Sequence, residues 1–159
     1  MEYNDIRRSK YVELFDPKKF YSRTIYVLHD IKELSTHDNR TYYDALVSKN
    51  GQEFHIKLIH NFHSQKWYGD VNGSNLYELR KATNNIADVL CYGDNIVYKL
   101  PDRSYAIRVK VVRFIEKYRR FICEYNGERH NLSTFLARWS DDYIVGVYTY
   151  DERRHTQNN

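Results

Sequence analysis

The chain has 159 residues, 42% of them apolar, enough to bury a single core, and no run approaches the roughly 18 apolar residues of a membrane span. Its two cysteines, Cys91 and Cys123, lack CxxC or paired spacing, which argues against a metal knuckle or redox dithiol. The net charge of +4 is concentrated: residues 1–98 hold 13 Lys/Arg against 13 Asp/Glu, residues 99–139 hold 10 against 4, and residues 140–159 hold 2 against 4.

A local excess of cations is the electrostatic footprint of a polyanion-binding surface, whereas scattered charge signals only solubility. The segment around Met1 to Arg8 carries no apolar leader, so the expected setting is cytoplasmic and reducing. With 16 Tyr and 7 Phe, the apolar mass is largely aromatic, which suits pleated sheets. Abundant Tyr, Asn, Lys and Ile with few Gly and Pro fit an AT-rich coding source, a bias shared by phage and mobile-element proteins and by ordinary low-GC bacteria.

Residues 1–19 are charged and poorly periodic, with Tyr11, Val12, Leu14 and Phe15 as the one cluster, and read as an irregular arm or short helix ended by Asp16-Pro17. Residues 24–29 are β-branched and aromatic and read as a strand, followed by a polar loop over 33–40. Residues 42–48 and 52–60 flank Lys49-Asn50-Gly51, and Asn-Gly favours the left-handed conformations of a tight hairpin. In its second arm Phe54, Ile56 and Leu58 share one face, His55 and Lys57 the other.

Over residues 75–90, Leu76, Leu79, Thr83, Ile86 and Leu90 recur at 3–4 spacing and predict the main helix, with Asn75 and Glu78 as a capping box and Gly93 beyond its end. Arg80 and Lys81 are its only cations, too few for a recognition helix.

Residues 95–100 predict a short strand stopped by Pro101. Residues 104–114 and 119–125 predict a second hairpin around Glu116-Lys117-Tyr118. Tyr105, Ile107, Val109 and Val111 share one face of its first arm, which leaves Arg108 and Lys110 on the other. After an Asn126-Gly127 turn, residues 131–139 predict a short helix (near 132–139) capped by Asn131 or Ser133, with Leu132, Phe135, Leu136 and Trp139 inward. Residues 143–150 read as a last strand and 151–159 as a flexible tail. Asn-Gly followed by Gln or Glu occurs in both hairpins, so a duplicated strand–turn–strand–helix unit is one reading.

These elements assemble into an expected single α+β domain over 1–150: a largely antiparallel twisted sheet from two hairpins with the 75–90 helix on one face. A small barrel with that helix as a lid is the variant.

The candidate site is the basic hairpin: Arg108, Lys110, Arg113, Lys117, Tyr118, Arg119, Arg120 and Arg129, interleaved with Tyr105 and Tyr125. A β-ribbon enters a major groove, or Lys and Arg neutralise phosphates while Tyr rings stack on unpaired bases. A solvated cationic sheet face that protects an edge strand has the same composition. Strand, strand, Asn-Gly turn and short helix over 119–139 is similar to an arrangement in small DNA-binding modules of mobile elements.

His55, His60 and His63 form H-x4-H-x2-H, but extended spacing turns His55 and His60 to opposite faces, so no metal site is assigned. Asp16 with Asp30-Ile31-Lys32 is the nearest approach to a metal-dependent nuclease pattern, and such spacings arise often in a chain rich in Lys and Asp. G-x-S-x-G, P-loop and G-x-G-x-x-G motifs are absent. Tyr42, Tyr43, Trp67, Tyr68, Tyr148 and Tyr150 are candidates for a partner surface, set against simple burial in the sheets.

The expected function is therefore a non-enzymatic binding or regulatory protein without cofactor. Its partner is nucleic acid, DNA or RNA, or an acidic surface of a protein that handles nucleic acid. The alternative is a phage- or mobile-element-encoded inhibitor of a host protein; a nuclease comes third.

Overall fold

The computed structural model describes residues 1–16, 18, 22–73 and 75–150, so the tail predicted over 151–159 lies outside the described residues. A short helix α1 (Tyr3–Arg7) leads into six strands: β1 (Tyr11–Phe15), β2 (Arg23–His37), β3 (Arg40–Lys49), β4 (Gln52–Asn61), β5 (Lys66–Asp70) and β6 (Leu76–Thr83). Each pairs antiparallel with the next, and β6 returns to β1 with Tyr11 opposite Thr83 and Leu14 opposite Leu79, closing a barrel. Closure leaves this sheet no free edge. Val12, Leu14, Tyr26, Leu28, Ala45, Val47, Ile56, Leu58 and Leu79 fill its interior, together with Ile6 from α1. The architecture is mostly antiparallel β with two short helices, and its first sheet is a closed barrel where an open twisted sheet was expected.

The main helix predicted over 75–90 is not formed. Residues 76–83 are β6, hydrogen-bonded to β1 on one side and to β5 on the other, with Leu79 buried and Leu76 exposed. Two strand neighbours satisfy the backbone donors and acceptors that a helix would otherwise pair internally, which overrides a helical spacing of apolar residues. The stripe divides between two cores: Leu79 enters the barrel, whereas Ile86 and Leu90 enter the neighbouring sheet. One 3₁₀ turn, Ile86–Asp88, remains, and its cap is Asn85, which accepts from the Ala87 N–H at 3.1 Å.

Two other expectations shift. The cluster Tyr11 to Phe15 is β1, a barrel stave and no irregular arm. The expected loop over 33–40 is the outer part of the β2–β3 hairpin, whose turn is confined to Asp38 and Asn39, both at positive φ. Its residues 32–37 are exposed, so no apolar alternation marks the strand.

The second sheet contains β7 (Asn95–Lys99), β8 (Ala106–Ile115), β9 (Arg120–Tyr125), β10 (Glu128–Asn131) and β11 (Ile144–Tyr148) in the order β10-β9-β8-β7-β11. Helix α2 (Leu132–Trp139) forms as expected and connects β10, a strand that was not expected, to β11; Asn131 caps it by accepting from the Ser133 N–H at 3.1 Å. Leu132 and Phe135 are buried. Both Asn-Gly turns form, with Asn50, Gly51, Asn126 and Gly127 all at positive φ. Strands β5 and β6 follow the first, so the turn chemistry repeats but the strand–turn–strand–helix unit does not.

The second core joins Ile96, Tyr98, Ile107, Val109, Val111, Cys123, Leu132, Phe135, Ile144 and Val147 to Tyr11, Ile25 and Val27 on the outer wall of the barrel. Strands β1 and β2 are thus covered on both faces, Val12 and Leu14 inward and Tyr11 outward, which explains their nearly continuous apolar runs. At the seam the Ser48 hydroxyl donates to the Val145 carbonyl at 2.8 Å, so the barrel covers the β11 side of the sheet. Strand β10 pairs with β9 alone and is the open edge. Among the described residues no helix is long and apolar enough to cross a membrane.

Candidate nucleic-acid interface

Strand β8 sends Ile107, Val109 and Val111 into the core and leaves Arg108 and Lys110 on the opposite face. Strict alternation would turn Arg113 inward. A register shift between Val111 and Arg113 prevents this: Val111 lies opposite core-facing Cys123, but Arg113 lies opposite Ile122, so the bulge returns Arg113 to the face of Arg108 and Lys110. The Arg108 guanidinium lies 5.7 Å from the Tyr148 ring centre on β11. Lys110 is in register with Glu124 on β9, and Glu124 is in register with Arg129 on β10. One carboxylate therefore sits between two cations and weakens the positive field of this face.

Lys117, Tyr118, Arg119 and Arg120 form the tip of the hairpin. The turn Glu116–Tyr118 is 3₁₀ and ends at Arg119 in the left-handed conformation, φ 49°. Tyr118 is 60% exposed with the Lys117 ammonium 5.4 Å from its ring centre, and both arginines are exposed. Arg119 and Arg120 line a groove of about 380 Å³ with Asn85, Asn131, Ser133 and Asp141. Burial pushes the Asp141 carboxyl above the usual carboxylate range, and nearby Lys10, whose ammonium donates to the Asp141 carbonyl, pulls the other way.

Arg129 is separate from the tip. It lines a cleft of about 510 Å³ along the open edge, between β10 and α2, and shares it with Arg138, Tyr125, Phe135 and Trp139. Phe135 and Trp139 are stacked at 5.6 Å, and Tyr125 meets Trp139 edge-on at 5.6 Å. Sequence reasoning missed Arg138 as a site residue; the signal was its place next to Trp139 on an amphipathic helix already expected to face inward. Asn131 lines both the groove and the cleft, so the two meet at the start of α2. The eight predicted residues therefore fall into three groups: the sheet face, the hairpin tip and, through Arg129, the edge cleft.

The histidines diverge. His55 Nδ1 lies 2.9 Å from the Asp44 carboxylate, His60 stacks on Trp67 at 4.6 Å, and His63 Nε2 lies 3.0 Å from the Asn39 amide nitrogen. Among the described residues no group of three or more His, Cys, Asp or Glu is placed to hold a metal ion, Asp16 and Asp30 included.

Together the fold and these surfaces define a barrel-and-sheet β protein whose cations gather on one sheet face, at a hairpin tip and along an open edge. Compared with family models, curated protein sequences and solved structures, the chain matches none of them.

Proposed function

We propose that this is a non-enzymatic binding protein that engages nucleic acid through the tip of the β8–β9 hairpin, in a cytoplasmic setting. The observation that carries the reading is the groove: Arg119 and Arg120 line it together with Leu132 and Ser133 of the first turn of α2, so two arginines and the positive end of the helix gather around its one carboxylate, Asp141. An anionic phosphate is the chemistry that such a convergence attracts. Lys117 and Tyr118 beside it add a cation and an exposed ring.

The test is anisotropy of labelled single- and double-stranded DNA and RNA at two salt concentrations. Phosphate contacts lower log K by roughly 0.9 per log salt for each contact on duplex DNA and by roughly 0.7 on single strands. Charge reversal of Arg119 and Arg120 is expected to abolish binding without touching the core; binding that survives it overturns the reading.

A protein partner, as for an inhibitor, is the second reading. It is favoured by Tyr92 and Tyr150, 61% and 40% exposed with ring centres 6.4 Å apart, a surface whose contacts would depend little on salt.

A further inference from the structure

We infer that the cleft between β10 and α2 receives one unpaired base, so that the protein selects single-stranded over duplex nucleic acid; the inference rests on the nucleic-acid reading above. Two independent features lead to it. Across the sheet face beside the tip, the register places Glu124 between Lys110 and Arg129, so the row of phosphates on a rigid helix laid there would meet alternating charge. The edge cleft has the opposite character. It is concave, and its volume of about 510 Å³ lies in the usual range for small-molecule sites, roughly 300–1,000 Å³. Arg129 and Arg138, both exposed, are part of its lining, and the rest is largely aromatic, with Tyr125 and Trp139 partly exposed beside buried Phe135.

That combination suits a planar base next to a phosphate: rings to stack on and two arginines in the lining. A base held in a duplex presents only its edges and cannot enter. The cleft also contains one acid, Glu128, whose carboxylate lies 3.8 Å from the His130 imidazole on the same strand. Because Asn131 borders both the cleft and the Arg119–Arg120 groove, a strand with one base in the cleft has its neighbouring phosphates directed past the start of α2 to the hairpin tip.

Tryptophan emission reads this directly. The chain has two tryptophans; Trp67 is 2% exposed, its indole N–H donating to the Met1 carbonyl, whereas Trp139 lines the cleft. Titration with an unlabelled single-stranded oligonucleotide is expected to quench emission, and Trp139→Phe, which keeps the aromatic packing, is expected to remove the quench. In parallel, anisotropy is expected to give a single strand about tenfold tighter binding than a duplex of the same sequence, the scale of one stacked base. Arg129→Glu with Arg138→Glu, both exposed, is expected to erase that preference, with circular dichroism confirming the fold. Equal affinity for both forms, or a quench that persists in Trp139→Phe, overturns the cleft. Binding lost on reversal of Arg119 and Arg120 but indifferent to Arg129 and Arg138 sinks the cleft and leaves the hairpin-tip reading standing; no binding of any nucleic acid at low salt sinks both.

Discussion

Arg23 on β2 and Asp94 just before β7 form an ion pair, Nη2 to Oδ2 at 2.5 Å, that joins the barrel to the second sheet. Asp94 is fully buried, and its carboxylate also accepts from the Cys91 and Tyr150 N–H groups at 2.7 and 3.0 Å. Arg23 donates further to the Val89 carbonyl at 2.9 Å, and Glu13 lies 3.5 Å from it. Removing one partner of such a pair leaves the other buried and uncompensated. Asp94→Ala is expected to cost about 3–5 kcal/mol in urea unfolding. A loss below about 1 kcal/mol, the scale of an exposed pair, would mean that the seam is held by its apolar contacts alone.

Gly146 on β11 faces the turn of the β3–β4 hairpin so closely that a Cβ there would lie 2.2 Å from the backbone nitrogen of Asn50. Backbone cannot yield as a flexible side chain does. Gly146→Ala is therefore expected to destabilise by about 1–3 kcal/mol, although its φ is ordinary. In an uncrowded strand the same change would stabilise slightly by restricting the unfolded chain, so the sign of the thermal shift decides whether this contact exists.

Burial, with the positive N-terminus adding to it, holds the His60 imidazole below its ordinary value of 6.5. The neutral ring is favoured in the fold, so its contribution to stability is present above pH 6.5 and is lost as the pH falls toward the folded value. Denaturant midpoints are expected to drop on acidification through that window, and by less in His60→Gln. An identical pH profile for the two proteins would remove His60 from the account.

The two thiols are expected to react very differently. Cys91 is exposed, whereas Cys123 is buried in the second core and burial pushes its thiol up to about 11. A thiol-specific reagent is expected to modify Cys91 promptly in the native protein and Cys123 only on unfolding. Rapid modification of both would show that the β8–β9 sheet opens readily.

Glu124 stands in register between Lys110 and Arg129, so Glu124→Gln removes the carboxylate that offsets them. Polyanion affinity at low salt is expected to rise roughly two- to fivefold, the scale of an exposed charge pair, and the gain to shrink at high salt. Unchanged affinity would place the contact surface away from this sheet face.

What the sequence determined by itself was local. Asn50-Gly51 and Asn126-Gly127 made their turns because two successive left-handed residues suit few other dipeptides, and Asn131 with the Leu132, Phe135 and Trp139 spacing made α2. The alternation of Ile107, Val109 and Val111 likewise marked the core face of β8, but Tyr105, expected on the same face, precedes the strand and is 58% exposed. The concentration of cations over residues 99–139 was equally plain.

Tertiary structure decided the rest. Residues 76–83 became β6 because β1 and β5 offered hydrogen-bond ladders on both sides; β5 is the preceding strand, but β1 lies some sixty residues away in the chain, where helical spacing carries no information about it. The bulge that turns Arg113 outward depends on what Cys123 and Ile122 oppose, and the cleft that unites Arg129 with Arg138 exists only after α2 has folded back along β10. Local patterns set the turns, the short helix and the charge; pairings between distant segments set which cations became neighbours.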